Sequence, residues 1–285
     1  MSLSLSDRLE AVAELVGEAA GSLRSPLPSN DGRDPSRLTN TVVADIGTDH
    51  GYLAAALLER VIANGTIACD VNEGPLSRAR ETLAGYEGAE VRLCDGMTGL
   101  KPGEADIAVM AGMGGRLMMH IIEDGDPGRL GIRAMVLQPQ SEIYEFRVFL
   151  RENRFQIVDE CSVWDTGKFY QAMLVKVGDR EDKEDLNRGS ELVNHCRGTL
   201  KNPENTSIQT IYDRFGQYGI LRGDEALLKY IELRIDKLKE IIGAVPGHDR
   251  DRLAELKSEL DYTETARRII TEGGCHEAFG DHKPA

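Results

Sequence analysis

The sequence predicts an α/β protein: a Rossmann-like, mostly parallel sheet that closes with a C-terminal antiparallel hairpin, followed by a small all-α unit with a coiled-coil arm. Three observations carry this prediction. Short apolar or β-branched runs alternate with helical stretches from Val42 to Asn153, the pattern of parallel strands joined by crossover helices. Two further strand-like runs flank Asp165-Thr166-Gly167-Lys168, which is a hairpin signal. Beyond Val177 the strand pattern ends, and apolar residues later recur at heptad spacing.

Taken in order, residues 5–20 read as an amphipathic helix, with Ser6 as N-cap and Leu5, Leu9, Val12 and Val16 on one stripe. Residues 21–40, rich in Ser, Pro, Asn, Asp and Gly, read as an irregular surface connection. Val42–Ile46 is a buried strand, Gly47 to Gly51 a tight turn, and Leu53–Leu58 a helix. A second strand spans residues 65–72, and Pro75 suits the first position of the helix that runs to about Leu83. Ala89–Cys94 is a third strand, ending at Asp95-Gly96. A fourth, Ala105–Met110, runs into Ala111-Gly112-Met113-Gly114-Gly115, after which Arg116–Glu123 resumes a helix. Ala134–Leu137 is a fifth strand that opens into a polar loop, Gln138-Pro139-Gln140. A helix over Ser141–Asn153 leads to the hairpin strands at 155–160 and 169–177.

The charged run 178–185 breaks the chain. Leu228, Ile231, Ile235, Leu238, Ile242 and Val245 then form a heptad seam, Pro246-Gly247 reverses direction, and Leu253, Leu256 and Leu260 begin a helix ending near Ile270. Two such helices should pair antiparallel. The expected organisation is therefore a ligand-binding domain over 1–178, a helical domain over 186–272 and a flexible tail over 273–285.

Composition limits the function classes. A net charge of −14 argues against holding nucleic acid by bulk attraction. The distribution softens this, because residues 1–185 carry 19 basic and 31 acidic side chains while residues 186–285 carry 15 and 17. No apolar run approaches bilayer length and the N-terminus lacks a secretory pattern, so neither a membrane partner nor export is indicated and a cytoplasmic location is expected. Cys69, Cys94, Cys161, Cys196 and Cys275 are odd in number and widely spaced, which favours reduced thiols over disulfides or zinc. Cys275, His276 and His282 sit on a glycine-rich terminus, and no metal site is expected there.

The chemistry concentrates in the strand, glycine loop and helix of residues 42–52. A dinucleotide fingerprint needs Gly-x-Gly-x-x-Gly, and no third glycine stands in register here. Asp45-x-Gly47-x-Asp49-x-Gly51 keeps three of the four marked positions of the acidic-x-Gly-x-Gly-x-Gly loop that binds S-adenosylmethionine in class I methyltransferases. An acid at Asp45 suits a cationic sulfonium better than a pyrophosphate. A glycine turn joining any strand to any helix is the bland alternative. Asp70, ending the second strand, stands where α/β nucleotide folds grip ribose hydroxyls. Asp95-Gly96 is either a contact for an adenine amino group or an ordinary turn. Three glycines among Gly112 to Gly115 remove bulk where a ligand comes close. The terminal antiparallel hairpin is the arrangement of class I methyltransferases and counts against a dehydrogenase domain.

With Asp45-Ile46-Gly47-Thr48-Asp49-His50-Gly51-Tyr52, Asp95-Gly96, Ala111-Gly112-Met113-Gly114-Gly115 and Leu137-Gln138-Pro139 in order, the chain resembles the bacterial tRNA (adenine(22)-N1)-methyltransferase family. Leu5-Ser6-Asp7-Arg8-Leu9, Gly167-Lys168-Phe169-Tyr170 and Phe215-Gly216 resemble it too. The resemblance implies an S-adenosylmethionine-dependent enzyme that methylates N1 of an adenosine in the D-arm region of tRNA, with the helical domain helping to hold the RNA. It also implies that Arg8, Asp45, Gly47, Asp49, His50, Gly51, Asp70, Asp95, Gly96, Ala111, Gly112, Met113 and Gly114 surround the cofactor. Three features depart from the family pattern: the long connection at 24–40, Asp70 in place of glutamate, and Gln140 in place of asparagine.

Methyl transfer needs alignment and charge stabilisation and no covalent nucleophile. Adenine N1 attacks with its free lone pair, and the product gains a positive charge. Asp49 is the first candidate to stabilise that charge, with His50 beside it; capping of the following helix is the alternative role of Asp49. N1 lies on the pairing edge, so the base must be unpaired or swung out. Tyr52, Met113, Gln138, Pro139 and Gln140 are the candidates to line its pocket, and Tyr52 and Met113 could equally be packing residues. A methyltransferase of small molecules or proteins, or a non-enzymatic module with this fold, are the competing readings. The sequence leaves open whether the chain is a monomer or a weak homodimer.

Overall fold

In the computed structural model the described residues are 3–24, 40–178, 208–246 and 248–272. They fall into two compact units, Met1–Glu181 and Asp182–Ala285. Residues 25–39 of the expected connection at 21–40, the charged linker from 179, Gly247 of the reversal, and the tail with Cys275, His276 and His282 lie outside the described residues, as does Cys196.

The first unit is a seven-stranded sheet of order β3-β2-β1-β4-β5-β7-β6. Its strands are β1 (Val42–Ile46), β2 (Gly65–Asp70), β3 (Ala89–Leu93), β4 (Ile107–Met113), β5 (Ala134–Pro139), β6 (Gln156–Asp165) and β7 (Lys168–Lys176). β1 to β5 are parallel, and β7 runs antiparallel to both β5 and β6. The helices are α1 (Asp7–Arg24), α2 (Tyr52–Glu59), α3 (Glu73–Leu83), α4 (Gly115–Gly125), α5 (Pro127–Leu130) and α6 (Ile143–Glu152).

Alternation along the strands sorts the core into two layers. Val43, Ile107, Val109, Val136 and Leu174 face α1 and α2. Ala44, Ala108, Met110, Met135, Leu137, Met173 and Val175 face Met118, Ile121 and Ile122 of α4 and Phe146 and Leu150 of α6. The sheet is thus covered on both faces, as parallel strands require.

Several local expectations are corrected. α1 continues to Arg24, beyond the expected end at residue 20, and Leu23 in the added turn packs against the core. Pro75 is the third residue of α3, with Asn72 as N-cap, a position where the missing N–H would have no helical partner anyway. β4 runs through Gly112 to Met113, with a register shift against β5 between Ala111 and Met113. Gln138 and Pro139 are buried members of β5, so the polar loop begins only at Gln140. The hairpin turns on Thr166 (φ 48°) and Gly167 (φ 78°), and the left-handed pair matches the strand twist. β6 continues beyond Glu160 to Asp165, extended by cross-strand packing of Trp164 on Phe169.

In the second unit the described helices are Ile208–Phe215, Gln217–Arg222, Glu225–Ala244 and Arg250–Glu272. Asp224 caps the third by accepting from the Leu227 N–H at 2.8 Å. Its buried stripe is Leu227, Ile231, Ile235 and Leu238, so Leu227 takes the place expected for Leu228. The stripe follows a 3.6-residue period there, where the expectation used 3.5. Glu259 of the last helix accepts from Arg214 and from Arg234, and Lys239 pairs with Glu264 at 2.8 Å.

Candidate functional site

The carboxyl ends of β1, β2, β3 and β4 open onto one cavity of about 490 Å³. Ligands of open α/β sheets bind at this edge, where loops from neighbouring strands meet helix N-termini. Its walls include Arg8, Gly47, Asp49, Asp70, Asp95 and Gly112. Gly96, Ala111, Met113 and Gln140 complete the predicted residues that line it.

The glycine loop is anchored from behind. The N–H groups of Gly47 and Thr48 both donate to the Cys69 carbonyl at 2.8 Å, which ties the end of β1 to β2. Asp45 sits on the α1/α2 face and is 6 % exposed. It does not line the cavity, and its Oδ2 accepts from the Thr48 hydroxyl at 2.7 Å. Burial is the main cause that pushes its carboxyl up to about 6, opposed by the Thr48 hydrogen bond and reinforced by Asp70. Asp45 therefore braces the loop from beneath, in place of the direct ligand contact expected for it. Gly47 adopts φ +74°, and a Cβ there would lie 1.8 Å from Met113 Cε. The left-handed φ favours glycine, and Met113 fills the space beside it.

Arg8 enters from α1. Its Nη1 donates to Gln138 Oε1 at 2.8 Å, and its guanidinium lies 5.7 Å from the Tyr170 ring centroid. Its backbone N–H donates to Asp165 Oδ2 at 3.4 Å. Gln138, expected to meet substrate, is fully buried and instead aims Arg8 from below. Gly112 (φ +88°) faces this group: a Cβ there would lie 3.5 Å from Arg8 Nη1 and 3.6 Å from Gln140 Nε2. Asp70 takes the Asn72 N–H at 2.7 Å on Oδ1. Asp95 makes the turn, its carbonyl accepting from Thr98 N, and the residue also lines the cavity.

Asp49, His50 and Tyr52 lie at the rim. Gly51 (φ 71°) is the N-cap of α2 and no side chain caps that helix, so the capping role considered for Asp49 is not the one observed. Asp49 is exposed and lines the cavity; His50, Gly51, Tyr52 and Gly114 do not. Pro139 does not line it either. Tyr52 is 44 % exposed and stacks on the His50 ring, with centroids 5.3 Å apart.

Ile46, Val71, Asn72, Cys94, Leu117 and Ile121 also line the cavity, and sequence reasoning did not single them out. The available signals were adjacency, since Val71-Asn72 follows Asp70 and Cys94 precedes Asp95, and the i, i+4 spacing of Leu117 and Ile121 on α4. A hydrogen bond between the Cys69 and Cys94 thiols is the first cause that draws Cys94 down to about 7 and pushes Cys69 upward.

The donor set fits S-adenosylmethionine. A guanidinium is available for a carboxylate, Asp70 for ribose hydroxyls, and Val71, Leu117 and Ile121 beside Asp95 for a flat heteroaromatic ring. Gly47 and Met113, packed on each other, both line the cavity.

Comparison with known proteins agrees. A family model described as a methyltransferase domain matches residues 37–173. The tRNA (adenine(22)-N(1))-methyltransferase of Bacillus subtilis is 31 % identical over 254 residues, covering 84 % of this chain and 98 % of that protein. The crystal structure of the B. subtilis m1A22 tRNA methyltransferase aligns with a TM-score of 0.68 at 24 % identity, over 93 % of this chain and 99 % of that one. The M. capricolum enzyme in complex with S-adenosyl-homocysteine aligns with a TM-score of 0.66 at 18 % identity, over the same shares. The two structures bear on the fold.

Proposed function

The chain belongs to the tRNA (adenine(22)-N(1))-methyltransferase family, and from that premise we propose how its cleft methylates N1 of an adenosine in tRNA. It is an S-adenosylmethionine-dependent enzyme with tRNA as its substrate. The observation that carries the residue-level reading is the convergence of Arg8, Gly47, Asp49, Asp70, Asp95 and Gly112 on one cavity at the carboxyl edge of the sheet.

Bound S-adenosylmethionine supplies a methyl carbon already activated by a sulfonium. Everything else falls to the chain. Arg8, held by Gln138 and Tyr170, meets the cofactor carboxylate; Asp70 accepts from the ribose; Val71, Leu117, Ile121 and Asp95 hold the adenine ring. Asp49 stands at the rim, where its carboxylate offsets the positive charge that N1 of the acceptor base acquires. N1 attacks with its own lone pair, so no side chain has to remove a proton first. Tyr52 and Gln140 receive the swung-out base, and the helical unit holds the rest of the RNA. Among the described residues no helix is long and apolar enough to cross a membrane.

The test is transfer of labelled methyl groups into tRNA transcripts. A transcript with adenosine 22 should accept the label and one with guanosine there should not. Equal labelling of both, or labelling only of small molecules or proteins, overturns the reading. Asp49→Ala should keep cofactor affinity within a few-fold and lower transfer by about a hundredfold or more, the scale of a lost transition-state electrostatic contact. Unchanged turnover removes Asp49 from the mechanism.

A further inference from the structure

His50 is held in a way that its own loop does not explain. Its backbone is left-handed (φ 63°), a conformation uncommon for a residue with a Cβ. One face of its ring is stacked on Tyr52 of α2, with 2° between the planes. Its Nε2 has two neighbours: Arg78 Nη1 of α3 at 3.0 Å and Asp49 Oδ1 at 3.2 Å. These are the charged groups placed against the imidazole, Asp49 from its own loop and Arg78 from α3.

The two neighbours make opposite demands on one nitrogen. A guanidinium carries only donors and keeps its charge, so the 3.0 Å contact is favourable only when Nε2 presents a lone pair. A carboxylate at 3.2 Å favours a proton on the same atom. The guanidinium is the closer of the two.

We propose that Arg78 is a positioning residue for methyl transfer: it holds His50 as the neutral tautomer with its proton on Nδ1. The Asp49 carboxylate is then left unshared at the rim of the cavity. Without Arg78, the ring proton moves to Nε2 and is donated to Asp49, whose carboxylate is then shared with His50 and less available to the methylated base. The functional consequence rests on the proposed role of Asp49. The tautomer does not, so the two can fail separately.

The direct test is a long-range ¹H–¹⁵N spectrum of the full chain labelled with ¹⁵N-histidine, His50 being assigned by its absence in His50→Gln. The wild type should show the Nδ1–H form at pH 8, and Arg78→Met should move His50 to the Nε2–H form. Arg78→Lys, which keeps a donor-only cation, should restore the wild-type form at least in part. In the transfer assay Arg78→Met should lower kcat about tenfold, the scale of one lost charge-assisted hydrogen bond, with KM for S-adenosylmethionine unchanged. An Nε2–H tautomer in the wild type, or the same tautomer in wild type and Arg78→Met, overturns the proposal. A normal tautomer shift with an unchanged kcat overturns its link to Asp49.

Discussion

Replacing Asp45 by asparagine isolates the energetic consequence of placing a carboxylate beneath the glycine loop. Asp45 is almost fully buried, and burial raises its carboxyl from the ordinary 3.8 to about 6. In the unfolded chain it ionises near the ordinary value, so the native state binds more protons than the unfolded state between the two. Stability contributed at this site is therefore complete below pH 4 and is lost as the pH rises to 6. With the difference taken as about two pH units, the loss amounts to roughly 3 kcal/mol near neutrality. Asparagine does not titrate and can still accept from Thr48, so its variant lacks that slope. Its extra buried amide N–H costs about 1–3 kcal/mol if unpaired, which makes the absolute stability at one pH uninformative. The assay is urea denaturation of both proteins without cofactor from pH 4 to pH 7. The stability of Asp45→Asn relative to wild type should rise by about 2–3 kcal/mol across that interval. A difference that stays flat, or falls, refutes the burial argument. Asp70→Asn in the same series should lower the window, because the Asp70 charge adds to the rise at Asp45.

Arg8→Ala should weaken S-adenosylmethionine binding in calorimetry, and Gln138→Ala should do so through Arg8; in the double variant the losses should fall short of additive by about 0.5–3 kcal/mol, whereas strict additivity means that Gln138 does not aim Arg8. The buried pair of Arg147 on α6 and Glu160 on β6, each 2 % exposed, also engages Gln171 of β7. Glu160→Ala leaves the guanidinium without its carboxylate and should destabilise the first unit by about 3–5 kcal/mol in denaturant melts.

Much of the fold is local information. Val42–Ile46 forms the predicted strand, and the second turn, around Thr166-Gly167, closes as its residues demand. Asp45, Gly47, Asp49 and Gly51 mark the ligand loop because turn chemistry and strand periodicity act over a few neighbouring residues. Which residues share a wall is another matter. Arg8, Asp70, Asp95, Leu117 and Gln140 come from five separate segments, and only the 3-2-1-4-5-7-6 strand order brings them to one edge. Strand alternation turned Asp45 away from that cavity, the extension of β5 buried Gln138 under Arg8, and packing of α3 beside the loop brought Arg78 to His50. The sequence by itself determined the elements, the glycine turns and the kind of ligand, since each depends on short-range sterics and on side-chain chemistry. Tertiary structure alone decided which carboxylates face the ligand and which brace the loop, because burial and long-range hydrogen bonds exist only once distant strands have paired.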